Sequence, residues 1–277
     1  MNIGILFDAI IVKPFATILV GIYQALSFLH VPYALGFSII IFTVIIRFIL
    51  YPLISSQLKS SKKMQGLTPH ISKLKERYKG DAKRMQTETM RLYKEHGVNP
   101  VAGCLPLIIQ MPVIWGLYSL LQKVVSLNPQ MVVSEVNKLI YISALKLTSP
   151  WDLSFFGLPL GEGPSKLLST VGPLVFLVPV VTGILQFLLS KMLVPPKPIG
   201  QNLSISKDQK KDDFATAFQT QSTYIFPVMI GFFSYSFPIG LSLYWNTFTI
   251  FGIIQQYKIL GLGGLIDWKN KIWKKKN

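Results

Sequence analysis

A single arginine lies well inside the first long apolar segment of the chain. Residues 33–53 read YALGFSIIIFTVIIRFILYPL, and Arg47 is their only charged residue. An arginine in hydrocarbon costs at least about 2.5–3.5 kcal/mol, so its side chain should face protein or water rather than lipid. Arg47 could extend to the head groups or bond to backbone carbonyls. The functional alternative is that it lines a wet cavity and offers positive charge to a group that enters.

Other polar side chains in the apolar segments favour the functional alternative. Thr43 lies one helical turn before Arg47, on the same face. The later apolar segments carry Gln110, Gln186, Tyr244, Trp245 and Asn246. Each of these alone is typical of a hydrogen bond between membrane helices. Together with Thr43 and Arg47 they predict a polar groove that would bind a substrate through charge and hydrogen bonds.

The sequence offers no arrangement of residues for covalent catalysis. It has no phosphate-binding glycine loop, no metal-ligand cluster and no catalytic triad spacing. The apolar segments contain no aspartate or glutamate, and the histidines at 30, 70 and 96 fall outside them. With one cysteine, Cys104, neither an internal disulfide nor a multi-cysteine metal site can form. We therefore expect neither enzymatic activity nor a cofactor.

The composition is that of a membrane protein with basic loops. Of 277 residues, 50% are hydrophobic and 14% are charged, yet the formal net charge is +16. A soluble domain carries charge at roughly a quarter of its positions. These proportions argue against a cytosolic enzyme, a disordered chain and a disulfide scaffold.

Hydropathy predicts five transmembrane helices, because about 20 apolar residues span a bilayer. The last apolar region, 223–260, has 38 residues, which is too many for one helix at ordinary tilt. Pro238 and Gly240 near its middle form a turn signal, so we divide it into two spans. The first of these, 223–237, is short, so we expect either that it lies shallowly in the membrane or that the bilayer is thinned there.

The N-terminal 30 residues are apolar but are interrupted by Asp8 and by Lys13–Pro14. From Phe15 to Leu29 the apolar residues recur at helical spacing, which predicts a short helix lying along the membrane surface. A signal peptide is the alternative, although no positive segment precedes Lys13 and no small-residue cleavage site is evident.

The distribution of basic residues predicts the orientation. The loop after the first span, the loop after the third and the C-terminal tail hold 22 of the 28 lysines and arginines, and all three lie on one side of a five-span protein. The positive-inside rule then places the N-terminus outside and the C-terminus in the cytoplasm.

The loop after the first span is predicted to form an antiparallel helical hairpin. Apolar residues at spacings of three and four form a seam from Met64 to Tyr78, a turn signal follows at Lys79–Asp81, and a second helix runs to about His96. The basic residues of the hairpin include Lys73, Lys75, Arg77, Lys83, Arg84 and Arg91. They form either a solvated positive-inside surface or a docking surface for anionic lipid, ribosomal RNA or an acidic protein domain.

We thus expect an all-α integral membrane protein, with five transmembrane helices around a polar groove, an N-terminal interfacial helix and a cytoplasmic antiparallel helical hairpin. The expected segments are an N-terminal extracytoplasmic segment (1–32), a first span (33–57), the hairpin (58–99), a second span (100–125), an extracytoplasmic loop (126–169), a third span (170–193), a cytoplasmic loop (194–222), the fourth and fifth spans (223–260) and a basic cytoplasmic tail (261–277).

Several long segments resemble the YidC/Oxa/Alb family of membrane protein insertases. They are IIIFTVIIRFILYPL (39–53), LYKEHGVNPVAGCLPLIIQMPVIWGLY (92–118), SPWDLSFFGLPLG (149–161) and FPIGLSLYWNTFTIFGIIQQYKIL (237–260). The resemblance implies a hydrophilic groove that is open to the cytoplasm and the lipid, closed to the outside, and occupied by Arg47. It is a resemblance to short forms, without the large extracytoplasmic domain of the Gram-negative members.

The function implied by this resemblance is membrane protein insertion in the bacterial cytoplasmic (inner) membrane. Short polar segments of nascent membrane proteins would cross the bilayer through the groove, and their apolar helices would pass into lipid. The expected partners are nascent membrane proteins and membrane lipid, with the ribosome, the signal recognition particle receptor and the Sec translocon as further candidates, and no DNA. Two alternatives are a small transporter or channel that uses the same groove and a chaperone that assists the folding of neighbouring spans.

Overall fold

The described part of the chain is almost entirely helical. The computed structural model describes residues 3–99, 105–125, 129–194 and 214–267. The α-helices are α1 (Ile3–Phe7), α2 (Lys13–Phe28), α3 (Ala34–Gly66), α4 (Thr68–Arg77), α5 (Ala82–Glu95), α6 (Leu105–Val125), α7 (Pro129–Leu139), α8 (Pro164–Val171), α9 (Leu177–Leu193), α10 (Phe214–Ser236) and α11 (Ile239–Leu260). Two short strands, β1 (Ser154–Phe155) and β2 (Leu158–Pro159), pair antiparallel.

Three helical segments of the described chain are long and apolar enough to cross a membrane. They are Gly4–Phe28, Ala34–Gly66 and Pro173–Leu193. Together with the helical content, these segments make the protein an all-α membrane protein. The five-span count remains a prediction, and most of the predicted loop at 194–222 and of the predicted tail lies outside the described residues.

Helix α3 extends well beyond the predicted first span. Its 33 residues correspond to about 50 Å of helix, whereas a bilayer core is about 30 Å thick. No glycine or proline interrupts the polar segment from Leu58 until Gly66, so the helix continues nine residues past the predicted boundary at 57. Pro69 then falls in the first turn of α4, where a missing N–H is tolerated.

The predicted hairpin is present as α4 and α5. Gly80, with φ of +96°, lies in the turn between them, and the Asp81 side chain accepts a hydrogen bond from the Arg84 backbone N–H at 2.9 Å. The rings of His70 and His96 lie 6.3 Å apart, which brings the start of α4 next to the end of α5 and makes the pair antiparallel. The hairpin therefore begins at Thr68 rather than near Leu58.

The N-terminal helix is continuous where the sequence predicted interruptions. A π-helical turn over Asp8–Val12 joins α1 to α2, and Pro14 lies in the first turn of α2, so neither breaks the rod. One face of this rod is fully buried, with Val12, Ala16, Leu19 and Val20 no more than 1% exposed. The interfacial position remains a prediction, since the length and composition of Gly4–Phe28 would also suffice for a membrane span.

Helices α10 and α11 are separated at Pro238, as the turn signal predicted. The first backbone N–H groups of a helix have no partner within the helix. In α11 those of Ile239 and Gly240 donate to the carbonyls of Glu162 and Leu160, at 2.9 and 2.6 Å. Helix α10 begins at Phe214 and has 23 residues, so it starts nine residues before the predicted fourth span, whose length in the membrane stays a prediction.

The bundle is built around α11, which packs against α3, α6 and α9, while α10 packs against α9. At the crossing of α9 and α10, Gly231 of α10 faces Gly183 of α9. A Cβ added to Gly231 would lie 3.3 Å from the Gly183 Cα and 3.2 Å from the Pro179 carbonyl oxygen. At Gly231 the two backbones are therefore closer than a side chain would readily permit, whereas a Cβ at Gly183 would make ordinary contact at 3.6 Å. Small residues at such crossings are common between membrane helices.

We expect Gly231→Leu to destabilise the bundle by roughly 1–3 kcal/mol, because the added side chain would force α9 and α10 apart. Thermal unfolding in detergent measures the effect. Gly66→Leu is the matched control, since nothing lies within 4 Å of its Cβ position. Equal melting temperatures for the two variants would contradict the close crossing.

Candidate functional site: a buried arginine on helix α11

Arg47 is buried between α3 and α11, with 3% of its surface exposed. Its Nη2 donates a hydrogen bond to the Phe248 carbonyl oxygen. The guanidinium carbon lies 3.4 Å from the centroid of the Phe248 ring and 5.8 Å from that of Phe251. The charge is thus held by one carbonyl and by the faces of two aromatic rings.

This arrangement leaves part of the guanidinium unsatisfied. Among the described residues, Arg47 Nε is buried and has no hydrogen-bond partner, and no ion pair neutralises the side chain. A buried guanidinium normally has its donors satisfied. Arg47 therefore retains donor capacity that a carboxylate could take up.

Two further predicted residues, Gln110 and Tyr244, join α6 to α11 close to Arg47. Gln110 Nε2 donates to the Tyr244 hydroxyl at 2.6 Å, and the Tyr244 side chain is fully buried. The Tyr244 ring lies 5.9 Å from that of Phe248, the ring on which the guanidinium rests. These groups form a continuous contact from α6 through α11 to α3.

The remaining predicted groove residues make separate contacts. Trp245 Nε1 donates to Gln186 Oε1 at 3.2 Å, which joins α11 to α9. The Asn246 Oδ1 atom is buried without a partner among the described residues. The Thr43 hydroxyl donates to the Ile39 carbonyl of its own helix at 2.6 Å. In this conformation the seven residues are buried or half-buried, so they form packed contacts and do not line an open channel.

The helical repeat of 3.6 residues explains this division. Successive residues of α11 are about 100° apart, so Tyr244 and Phe248 face α6 and α3, whereas Trp245 faces α9. The single groove predicted from the sequence therefore appears in the structure as two polar contacts on adjacent faces of one helix.

Five buried polar residues of the site were missed from the sequence. Gln255 Nε2 donates to the Tyr51 carbonyl at 3.2 Å and to the Ser55 hydroxyl at 3.1 Å, and Gln256 Nε2 donates to the Met192 carbonyl at 3.1 Å. The other three carry hydroxyls: Ser234 Oγ lies 3.3 Å from Thr182 Oγ1 and 2.9 Å from Ser242 Oγ. The adjacent glutamines in an apolar run were a visible signal, whereas isolated serines and threonines in membrane helices are too common to be one.

Most of the predicted basic side chains of the hairpin are exposed, as a solvated or a docking surface requires. Two of them pair with acidic neighbours: Arg91 Nε lies 2.9 Å from Glu95 Oε1, and Arg84 Nε lies 3.6 Å from Asp81 Oδ2. Lys73, Lys83 and Arg77 are also exposed, and the side chain of Lys75 lies outside the described part of the structure. Burial raises the pKa of the Tyr93 hydroxyl in the same hairpin.

Comparison with known proteins assigns the family. The family model described as "60Kd inner membrane protein" matches residues 27–261. The membrane protein insertase YidC of Fusobacterium nucleatum is 32% identical over 228 residues, which cover 82% of this chain and 87% of that protein. The chloroplast inner membrane protein ALBINO3 of Arabidopsis thaliana is 34% identical over 252 residues, which cover 87% of this chain and 50% of that protein.

A crystal structure of an active YidC insertase with its first transmembrane domain resolved is also similar. It shares 27% sequence identity and a TM-score of 0.52 over 88% of this chain and 46% of that chain. The present chain spans about half the length of the chain in that YidC crystal structure and about half the length of the chloroplast relatives. The relatives are named insertases or inner membrane proteins, and they do not favour a transporter or channel. The match over residues 27–261 confirms the resemblance seen in the sequence, and the chain belongs to the YidC/Oxa/Alb family of membrane protein insertases.

Proposed function

We propose that this protein inserts membrane proteins into the bacterial inner membrane by attracting acidic residues of a substrate's translocated tail to Arg47. The observation that carries the proposal is the burial of Arg47 without a carboxylate partner among the described residues. An arginine so placed in a membrane bundle is costly, and such residues mark substrate pathways. A tail carboxylate would supply the missing partner and form a charge-assisted hydrogen bond.

Access to Arg47 requires that the packing around its buried Nε edge opens on the side from which the substrate enters. The Phe248 carbonyl and ring that hold the guanidinium against α11 can stay in place while Nε binds the carboxylate. The polar backbone of the tail would then form hydrogen bonds with the other polar residues of the site, which are Gln110, Tyr244, Gln186, Trp245 and Asn246. A wet, polar groove of this kind shortens the dry path that a hydrophilic segment must cross.

Release of the substrate's apolar helix is favoured by the lipid-facing sides of α9 and α10. Several large apolar side chains on these helices are exposed, including Leu177, Val180, Ile184, Val228 and Phe232. An apolar substrate helix that leaves the groove would slide along this surface into lipid. Burial of its apolar surface at about 25 cal/mol per Å² drives this step.

The helical hairpin of α4 and α5 serves in this proposal as a docking surface for an anionic partner, such as the ribosome that delivers the nascent chain. Its exposed basic side chains belong to the side with the excess of lysine and arginine, which the positive-inside rule assigns to the cytoplasm. The signal recognition particle receptor and the Sec translocon remain further candidate partners.

We expect Arg47→Ala to lower the insertion of a single-span substrate with an acidic tail by about tenfold or more, because a hydrogen bond to a charged group contributes about 1.5–3 kcal/mol. Arg47→Lys keeps the charge and should be milder. The measurement is protease protection of the translocated tail in proteoliposomes that contain only the purified protein.

A matched substrate whose acidic tail residues are replaced by asparagine and glutamine is the control. Its insertion should depend much less on Arg47. If Arg47→Ala reduces the two substrates equally, or neither of them, charge attraction is not the mechanism. Solute flux through the same proteoliposomes would instead support a channel.

Replacing Lys73, Lys83 and Arg84 with glutamine should weaken binding to ribosomes that carry a nascent membrane protein. Each lost phosphate contact should reduce the slope of log K against log salt concentration by about one unit. The matched control replaces Lys138, Lys146 and Lys166, which are exposed outside the hairpin. Equal salt slopes for both triple variants would mean that the basic residues of the hairpin do not bind the ribosome and reflect only the orientation of the protein in the membrane.

A further inference from the structure

Gly252 lies on α11 one helical turn after Phe248, directly beside the Arg47 guanidinium. A Cβ added at Gly252 would lie 2.6 Å from Arg47 Nη2 and 3.4 Å from Arg47 Cζ. It would also lie 3.3 Å from a methyl group of Leu189 on α9. The position therefore has no room for even a methyl group while Arg47 keeps its place.

The guanidinium cannot easily move to make that room. It is planar, one of its faces lies against the Phe248 ring, and its Nη2 is bonded to the Phe248 carbonyl. A shift away from Gly252 would break one or both of these contacts. Glycine in a helix interior also costs roughly 0.5–1 kcal/mol relative to alanine, so local helix stability gives no reason for glycine at this position.

The same placement determines which edge of the guanidinium is available. Phe248 and Gly252 hold Nη2 against α11, and Nε is left buried without a partner among the described residues. A carboxylate that approaches the Nε edge would find a donor already fixed in direction. A guanidinium free to rotate would first have to lose that freedom.

We propose that Gly252 and Phe248 are positioning residues, which form a seat on α11 that holds Arg47 with its Nε edge directed to an incoming substrate carboxylate. This inference rests on the proposed function. Gly252 supplies the space, and Phe248 supplies the carbonyl and the ring. Neither residue contacts the substrate, so both act only through Arg47.

The test is Gly252→Ala, with Gly183→Ala as the matched control. Both variants add one methyl group to a membrane helix, but at Gly183 the nearest atom to the new Cβ is 3.6 Å away. Gly252→Ala should reduce insertion of the acidic-tail substrate by about threefold or more, the effect of a modest coupling between contacting residues. The neutral-tail substrate should be much less affected, and Gly183→Ala should resemble the wild type with both.

The thermal stability of four proteins separates positioning from a general packing defect. With Arg47 present, Gly252→Ala should lower the melting temperature. In the Arg47→Ala background the same substitution should leave it unchanged or raise it, because the clash with the guanidinium is gone, the 3.3 Å approach to the Leu189 methyl group is the one close contact left, and alanine is the better helix former. An equal loss of stability in both backgrounds, or an equal loss of insertion for both tails, would overturn the inference.

The two proposals can fail separately. If Arg47→Ala has no effect that depends on tail charge, the proposed function fails, whatever Gly252→Ala does. If Arg47→Ala reduces insertion of the acidic-tail substrate but Gly252→Ala resembles Gly183→Ala, the proposed function stands. The inference that Gly252 and Phe248 position Arg47 is then overturned. Phe248→Leu is a second route to the same result, because it removes the ring and retains the backbone carbonyl.

Discussion

The contact between Arg47 and the backbone of α11 is the interaction on which the rest of the site depends. A guanidinium taken out of water must be compensated, and a carboxylate would do so most strongly. Among the described residues it is instead compensated by the Phe248 carbonyl and ring. Such partners hold the charge at rest and leave the buried Nε atom, which has no partner among the described residues, to take up a carboxylate. Because a carboxylate compensates a guanidinium more strongly than a carbonyl and a ring do, a role of Arg47 in binding a carboxylate is physically reasonable.

Helix α11 couples this contact to the other side of the bundle. Its residues Phe248 and Gln255 contact α3, whereas Trp245 and Gln256 contact α9. Gly252 lies between these two faces, beside both Arg47 and Leu189. A displacement of α11 would therefore disturb its contacts with Arg47 and with α9 together. The loop that binds the first N–H groups of α11 through Leu160 and Glu162 restrains the opposite end of the helix.

Much of this arrangement could be predicted from the sequence, because the strongest signals are unusual residues in apolar runs. Arg47 stands out through its cost in a membrane, Pro238 through its missing N–H, and the hairpin through its apolar spacing and turn residues. The continuity of α1 with α2 could not be predicted, since a proline in the first turn of a helix and a proline that breaks one look alike in sequence. The extension of α3 was missed for a related reason, because loss of hydropathy marks the end of a membrane span and not the end of a helix.

The predicted site residues are largely those that the structure buries, but their grouping depends on helix packing. Residue type alone did not show that Tyr244 faces Gln110 on α6 while Trp245 faces Gln186 on α9. Nor could the role of Gly252 be seen, because a glycine in a membrane helix is ordinary until a neighbouring side chain is known to need its space. The sequence does not show which helix packs against each face of α11.

Labelling at Thr43 tests the central claim most directly, since this residue lies one turn from Arg47 and is fully buried at rest. Thr43→Cys in a Cys104→Ser background would be treated with a membrane-impermeant thiol reagent, added separately to each side of the membrane. We expect modification only from the cytoplasmic side, with a marked increase while a substrate with an acidic tail is being inserted. Modification from the outer side, or none during insertion, would contradict a groove that opens toward the cytoplasm to expose Arg47.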